Sequence, residues 1–220
     1  IIEAIAGGAS RANEIATKTG EKTAKCLKYI STLCELGILY KETPFGEKKS
    51  SKKTIYGISD LMFRFWYRYV FSNRTLIETG ASDVVMKRRI EPTYSDYMGL
   101  VFEKVCRDYL TRKNPCGELP ILFTAIGRWW GTDPSKHEQV EIDLIANDSD
   151  EYMFCECKWR NEKLDLPVLK SLMYKADVFR KNRGRTWFVL FSKSGFTDAV
   201  IEEAAKNNDI LLVDLGKITE

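Results

Sequence analysis

The sequence predicts an α+β chain in two parts, a small module of three helices and a basic hairpin followed by a mixed sheet flanked by helices. Three observations lead there. Charge divides unevenly, with 13 Lys and Arg against 7 Asp and Glu in residues 1–74, and 21 against 24 in the remainder. Residues 140–146 (VEIDLIA) and 152–159 (YMFCECKW) alternate with period two, as half-buried strands do. Beyond them helical and strand-like runs alternate, and strands joined across a helix pair in parallel.

At 220 residues, 44% hydrophobic and 30% charged, the chain can build a packed core and is too balanced for a disordered, collagenous or coiled-coil protein. Its apolar stretches fall far short of the roughly 20 residues of a membrane helix, so no transmembrane span or signal peptide is expected. Six cysteines, at 26, 34, 106, 116, 155 and 157, include no CxxC pair and lie mostly in apolar runs. They point to buried, reduced thiols and a cytoplasmic setting. The single histidine, His137, falls in a loop rich in Gly, Asp, Pro and Ser, where a solvated residue is expected. Ile1 already lies inside a helical pattern, so the chain is expected to be cut from something longer.

In order, residues 1–6 close a helix, Gly7-Gly8-Ala9 make a turn, and Ser10 is the expected N-cap of a short helix at 11–17. Thr19-Gly20 breaks the chain. A longer helix at 21–36 sets Ala24, Leu27, Tyr29, Ile30, Leu33 and Cys34 on an apolar face, with Lys22, Lys25 and Lys28 on the other side. After Gly37, residues 38–41 and 54–58 form two strands, and Lys41, Lys48, Lys49, Lys52 and Lys53 cluster in and beside their loop. Three short helices and a basic hairpin have the pattern of a winged helix over residues 1–60, a helix-turn-helix variant whose third helix enters a DNA major groove. Lys22, Lys25, Lys28, Lys48, Lys49, Lys52 and Lys53 are its candidate nucleic-acid contacts, with double-stranded DNA the expected partner. Contact with protein is the alternative, since such modules serve both purposes.

Residues 61–71 (LMFRFWYRYVF) follow as an N-capped helix so aromatic that burial is expected, and 61–97 form a helical connector broken at Pro92. From there, 98–111 make a helix with Met98, Val101, Phe102, Val105 and Tyr109 in one stripe and Glu103 near its edge. Residues 121–126 are strand-like. Glu141, Asp143 and Ile145 share one strand face, as do Phe154, Glu156 and Lys158 on the next strand. The polar loop between them is of hairpin length, so the two strands are antiparallel neighbours and Asp143 and Glu156 lie together. Helix 166–179, strand 186–191, helix 198–205 and strand 210–213 complete the order α-β-β-β-α-β-α-β.

Carboxylates and a lysine placed mid-strand among Phe, Cys and Trp are costly without partners. Two carboxylates offer oxygen ligands to a hard divalent cation, and a lysine beside them positions water or steadies negative charge at phosphorus. An internal ion pair of Lys158 with either acid is the plainer alternative. Trp129-Trp130 stacks on an unpaired base or packs against the sheet. Arg160, Lys163, Lys170 and Lys175 line a phosphate track, or for the last two a solvated helix face.

Glu103, Asp143 and Glu156-Cys157-Lys158 at these spacings resemble the PD-(D/E)xK nuclease superfamily, whose restriction-endonuclease-like core is an αβββαβ mixed sheet flanked by helices. The wider set, Phe102-Glu103, Ile126-Gly127-Arg128-Trp129-Trp130-Gly131, Glu141-Ile142-Asp143 and Glu156-Cys157-Lys158-Trp159, resembles a narrower group. These are C-terminal domains of uncharacterised function that follow an archaeal-type P-loop (AAA+/STAND-like) ATPase domain and a winged helix. The resemblance spans residues 1–220. It implies a nuclease-like domain at 98–220, with Asp143 and Glu156 as ligands of Mg²⁺ or Mn²⁺, Glu103 as a further ligand, and Lys158 as the water-positioning or transition-state cation. Phosphodiester hydrolysis is the implied activity. The alternative is a scaffold without catalysis that couples ATPase state to nucleic acid or a partner protein. Ile142 stands where the superfamily's name has proline. The resemblance also implies ATP bound by an ATPase domain in cis, although no GxxxxGK[ST] occurs in these 220 residues. A homodimer is compatible with such nucleases, and no membrane partner is expected.

Overall fold

The computed structural model describes residues 1–48, 51–179 and 184–219. The chain divides into two compact units, Ile1–Tyr94 and Ser95–Glu220. In the first, α1 (Ile2–Ala6), α2 (Ala12–Thr19) and α3 (Thr23–Glu35) precede the antiparallel strands β1 (Leu39–Glu42) and β2 (Ile55–Ile58). Ser10 is not the N-cap of α2; Arg11 is. The Glu14 carboxylate turns back to accept from the Ser10 and Arg11 amides at 2.9 and 3.0 Å, which moves the helix start one residue on. Those same amides hold the Glu14 pKa below its ordinary value.

Ile5, Ile15, Cys26, Ile30, Leu39 and Ile58 form the core of this unit. On α3 the buried positions are Cys26 and Ile30, four residues apart, whereas Leu27 and Tyr29 of the expected apolar face are 41% and 53% exposed. A short helix on a small core buries one narrow stripe. Across the hairpin the Tyr40 ring lies over its partner Gly57, where a Cβ would come within 2.3 Å of the ring, so a larger residue would displace the exposed tyrosine side chain.

Asp60 caps α4 (Leu61–Phe65) by accepting from the Phe63 amide at 2.8 Å. The helix then widens into a π-helical turn, Trp66–Val70, and tightens over Phe71–Asn73. The expected burial of this segment does not occur. Tyr69 is buried, but Met62, Phe63, Trp66 and Phe71 are exposed. Aromatic residues occupy every side of the helix, and only one stripe faces a core. α5 (Arg74–Glu78), α6 (Ser82–Val85) and a second π-helical turn, Met86–Ile90, lead to α7 (Glu91–Lys113). Pro92 does not break the chain. The helical backbone runs unbroken from Ser82 into α7, and the wide π-helical turn Met86–Ile90 falls immediately before Pro92, where a widened turn accommodates a residue without an N–H.

In the second unit β3 (Ala125–Thr132), β4 (Gln139–Asp148), β5 (Glu151–Lys158), β6 (Thr186–Ser192) and β7 (Ile210–Asp214) make a five-stranded sheet in that order. The first three are antiparallel, and β5, β6 and β7 are parallel, joined through α8 (Leu166–Phe179) and α9 (Asp198–Lys206), with α10 (Leu215–Thr219) last. Mixed pairing and element order thus agree with the sequence pattern. The run at 121–126 does not form a strand along its length. Ile121 and Phe123 are buried, yet β3 starts at Ala125, because the Asn114 amide holds the Phe123 N–H and C=O at 3.0 Å each. The buried stripe of α7 is Tyr97, Phe102, Cys106 and Leu110, with Val105 turned out. Phe102, Cys106 and Leu110 pack on Leu144, Met153, Cys155, Cys157 and Phe191.

Candidate active site

The register Leu144↔Cys155 and Ile145↔Phe154 puts Glu156 on the sheet face opposite the side packed against α7; the β4–β5 ladder ends at Leu144, and Asp143 follows it where β4 shifts register against β3. Both carboxylates are buried, at 9% and 3% exposure. The Cys157 amide donates to Asp143 Oδ2 at 2.7 Å. Lys158 Nζ stands 2.5 Å from Glu156 Oε1 and 4.0 Å from Asp143 Oδ2. From α8, Lys175 donates to both Glu156 oxygens, at 3.0 and 2.9 Å.

Burial, and after it the Glu156 charge, pushes the Asp143 carboxyl above the usual carboxylate range. Burial alone would lower the Lys158 pKa, but the Glu156 and Asp143 carboxylates outweigh it and hold the ammonium charged. On α7, Glu103 is pushed up to about 7 by burial and then by Asp143, with Arg128 acting in the opposite sense. Arg128 of β3 is itself ion-paired with Glu141, so this carboxylate of β4 already has a cation.

The Glu103 shift has a measurable consequence. The fold favours the protonated carboxyl, so this group's contribution to stability is present below its ordinary 4.5 and is lost as pH rises to about 7. With divalent ions chelated, Glu103→Gln is expected to stabilise the second unit at pH ~7.5 by on the order of 2–3 kcal/mol and to flatten the decline from pH ~5 upward. The denaturant midpoint across that range is the measurement. A residual slope from Asp143, shifted the same way, stays in the variant; an unchanged slope removes Glu103 from the carboxyl cluster.

Asp143, Glu156 and Lys158 therefore converge. Glu103 reaches them through its field, and among the described residues no group of three or more His, Cys, Asp or Glu side chains assembles as a metal cage. Lys175 is the residue whose place the sequence left open. Its position three residues after Leu172 and one before Ala176, at the edge of the inward stripe of α8, was the available signal. Arg160 Nε is buried without a hydrogen-bond partner among the described residues, while Lys163 and Lys170 are exposed. Trp129 packs edge-on against Phe179 at 5.3 Å, as the packing alternative requires. His137 is exposed in the β3–β4 turn with φ 58°.

In the first unit Lys22, Lys25, Lys28, Lys48, Lys52 and Lys53 are all exposed. Lys25 and Lys53 are paired with Glu21 and Glu47 at 2.7 and 2.8 Å. Lys49 lies outside the described residues. The six cysteines are free thiols, Cys116 being exposed. No helix among the described residues is long and apolar enough to cross a membrane.

Fold and site define a mixed α+β protein in which a five-stranded sheet carries two buried carboxylates clasped by two lysines. Residues 66–170 match DUF234, the family described as "Archaea bacterial proteins of unknown function". An uncharacterized protein of Methanocaldococcus jannaschii is 36% identical over 223 residues, an overlap of 98% of this chain and 46% of that protein. The chain thus spans about half the length of this curated relative. Among solved structures, protein VC1899 of Vibrio cholerae overlaps 92% of this chain and 41% of its own, at 11% identity and a TM-score of 0.40.

Proposed function

We propose that the second unit is a PD-(D/E)xK nuclease-like domain that hydrolyses phosphodiesters with Mg²⁺ or Mn²⁺, and that the first is a winged helix holding double-stranded DNA. The observation carrying this reading is the convergence of Asp143, Glu156 and Lys158 on adjacent strands, within 4.0 Å of one ammonium. Hard carboxylate oxygens suit such a cation in kind, and burial, followed by the neighbouring carboxylates, raises Asp143 and Glu103, a cost that a bound cation would relieve. Asp143 and Glu156 would hold it, with Glu103 acting on them from α7 through its charge. When bound, the cation supplies Lewis-acid polarisation of the phosphate and a more acidic water. The chain's own part is to keep water out around Asp143, fix that carboxylate through the Cys157 amide, and hold the Lys158 charge where negative charge grows at phosphorus. Exposed Lys22, Lys28, Lys48 and Lys52 support the DNA contact. An ATPase domain in cis, as the family resemblance implies, would gate the unit.

A second reading is favoured by one specific feature. Glu156 already has an ammonium on either side, Lys158 and Lys175, so the pair of acids is balanced by cations from the chain itself. A nuclease fold kept as a scaffold would be built this way. The deciding experiment compares nicking of supercoiled and single-stranded DNA with Mn²⁺ by the chain and by Glu156→Ala at matched concentration. Nicking that disappears with Glu156 is the expected result; no nicking by either protein moves the scaffold reading ahead.

A further inference from the structure

The first unit contains a cleft of about 560 Å³, within the size range of small-ligand sites, that the nuclease reading does not use. Its walls carry Arg68, Tyr69, Ser72, Asn73, Arg89 and Thr93 around the Gly7-Gly8 turn. No carboxylate lines it, and no ion pair engages either guanidinium among the described residues. Lys18 Nζ donates to the carbonyl of Gly7, one of the lining residues, at 2.7 Å, which puts a further positive charge on that turn. Two arginines lining one cleft that no carboxylate lines leave a positive field in a concave surface, which draws anions.

The backbone beneath them is also unusual. Arg68 lies in the π-helical turn Trp66–Val70 and Arg89 in the π-helical turn Met86–Ile90. Such turns are rare and costly in hydrogen-bond geometry, and they persist chiefly at functional sites, where the widened turn re-aims a side chain. The Tyr69 hydroxyl and Thr93 Oγ1 share a hydrogen bond of 2.9 Å that ties the two segments together. Ser72 donates to the Arg68 carbonyl at 2.7 Å and Asn73 to the Tyr69 carbonyl at 2.8 Å, bracing the same wall. The Arg68 guanidinium lies 5.4 Å from the Tyr69 ring centroid, which restrains its plane.

We propose that this cleft is an anion site that takes a phosphate group between Arg68 and Arg89. A planar guanidinium matches two phosphate oxygens at once, and two of them on separate turns of one cleft offer two such forks. The phosphate comes from a phosphodiester backbone or from a free phosphoester. The site lies in the other unit from Asp143 and does not depend on hydrolysis there.

Calorimetric titration at low salt, with EDTA present so that no metal contributes, tests it on the whole chain with pyrophosphate and with a short DNA duplex as probes. Arg89→Ala, at an exposed position, and Arg68→Ala are each expected to weaken binding about tenfold or more with the circular dichroism spectrum unchanged. Arg68→Lys, which keeps the charge but not the fork, is expected to recover only part of the loss. Weakening for pyrophosphate alone assigns a small phosphoester; weakening for the duplex, with or without pyrophosphate, assigns the backbone. Absence of binding to either probe by the unsubstituted chain, or affinities unchanged in both alanine variants, overturns the proposal.

Discussion

Replacing Lys158 by methionine is expected to slow DNA cleavage by about 10²–10³-fold while leaving DNA affinity within about a factor of two. The side chain keeps its aliphatic volume in methionine, so packing on β5 is preserved and the charge alone is lost. That charge stands 2.5 Å from Glu156 and 4.0 Å from Asp143, in contact range of both acids in the triad. Lys175 touches Glu156 alone among the two. Without Lys158, Asp143 loses the largest influence opposing its protonation and is a poorer ligand near neutral pH. The measurement is single-turnover nicking beside a binding isotherm. Equal loss in both would make Lys158 a binding or folding residue, and no loss in either would pass its role to the scaffold reading.

Phe154→Ala is expected to destabilise the second unit by about 3–5 kcal/mol, the cost of a large apolar side chain removed from a filled site. Phe154 is fully buried on the sheet face that carries Glu156. Its ring lies 5.9 Å from that of Tyr152, 5.8 Å from Phe179 and 6.2 Å from Phe188, so α8 is seated on the sheet partly through this one side chain. α8 also brings Lys175 to Glu156, and the loss is expected to loosen that ion pair. Two units need not unfold together, so hydrogen exchange of the β5 and β6 amides is the appropriate measurement. Phe154→Leu, which leaves a smaller cavity, should cost less than alanine does. A loss below about 1 kcal/mol for alanine would mean that neighbouring rings collapse into the space.

The strands of the second unit were legible because alternation is local. A period of two fixes which side chains share a face before any neighbour is known, so Asp143 with Glu156, and Glu156 with Lys158, followed from spacing and a hairpin-length loop. The expected apolar faces of α3 and α7 were only partly right for the converse reason. A sequence rich in apolar residues offers several overlapping helical stripes, and the partner decides which is used. Cys26 with Ile30, and Phe102 with Cys106 and Leu110, are the stripes that found a core. The aromatic run at 61–71 misled in the same way, since composition does not say which side of a helix is covered.

By itself, then, the sequence determined the α+β class, the order of elements, the mixed pairing of the sheet and the facing of its acids, all consequences of short-range backbone geometry. The tertiary structure alone decided that Lys175 closes on Glu156 from 19 residues away, that Arg128 on β3 takes Glu141 of the neighbouring strand β4, and that two arginines in separate π-helical turns line one cleft. Those placements depend on how distant elements pack. Charge and hydrogen-bond partners across such distances are set by the core beneath them, which no local pattern encodes.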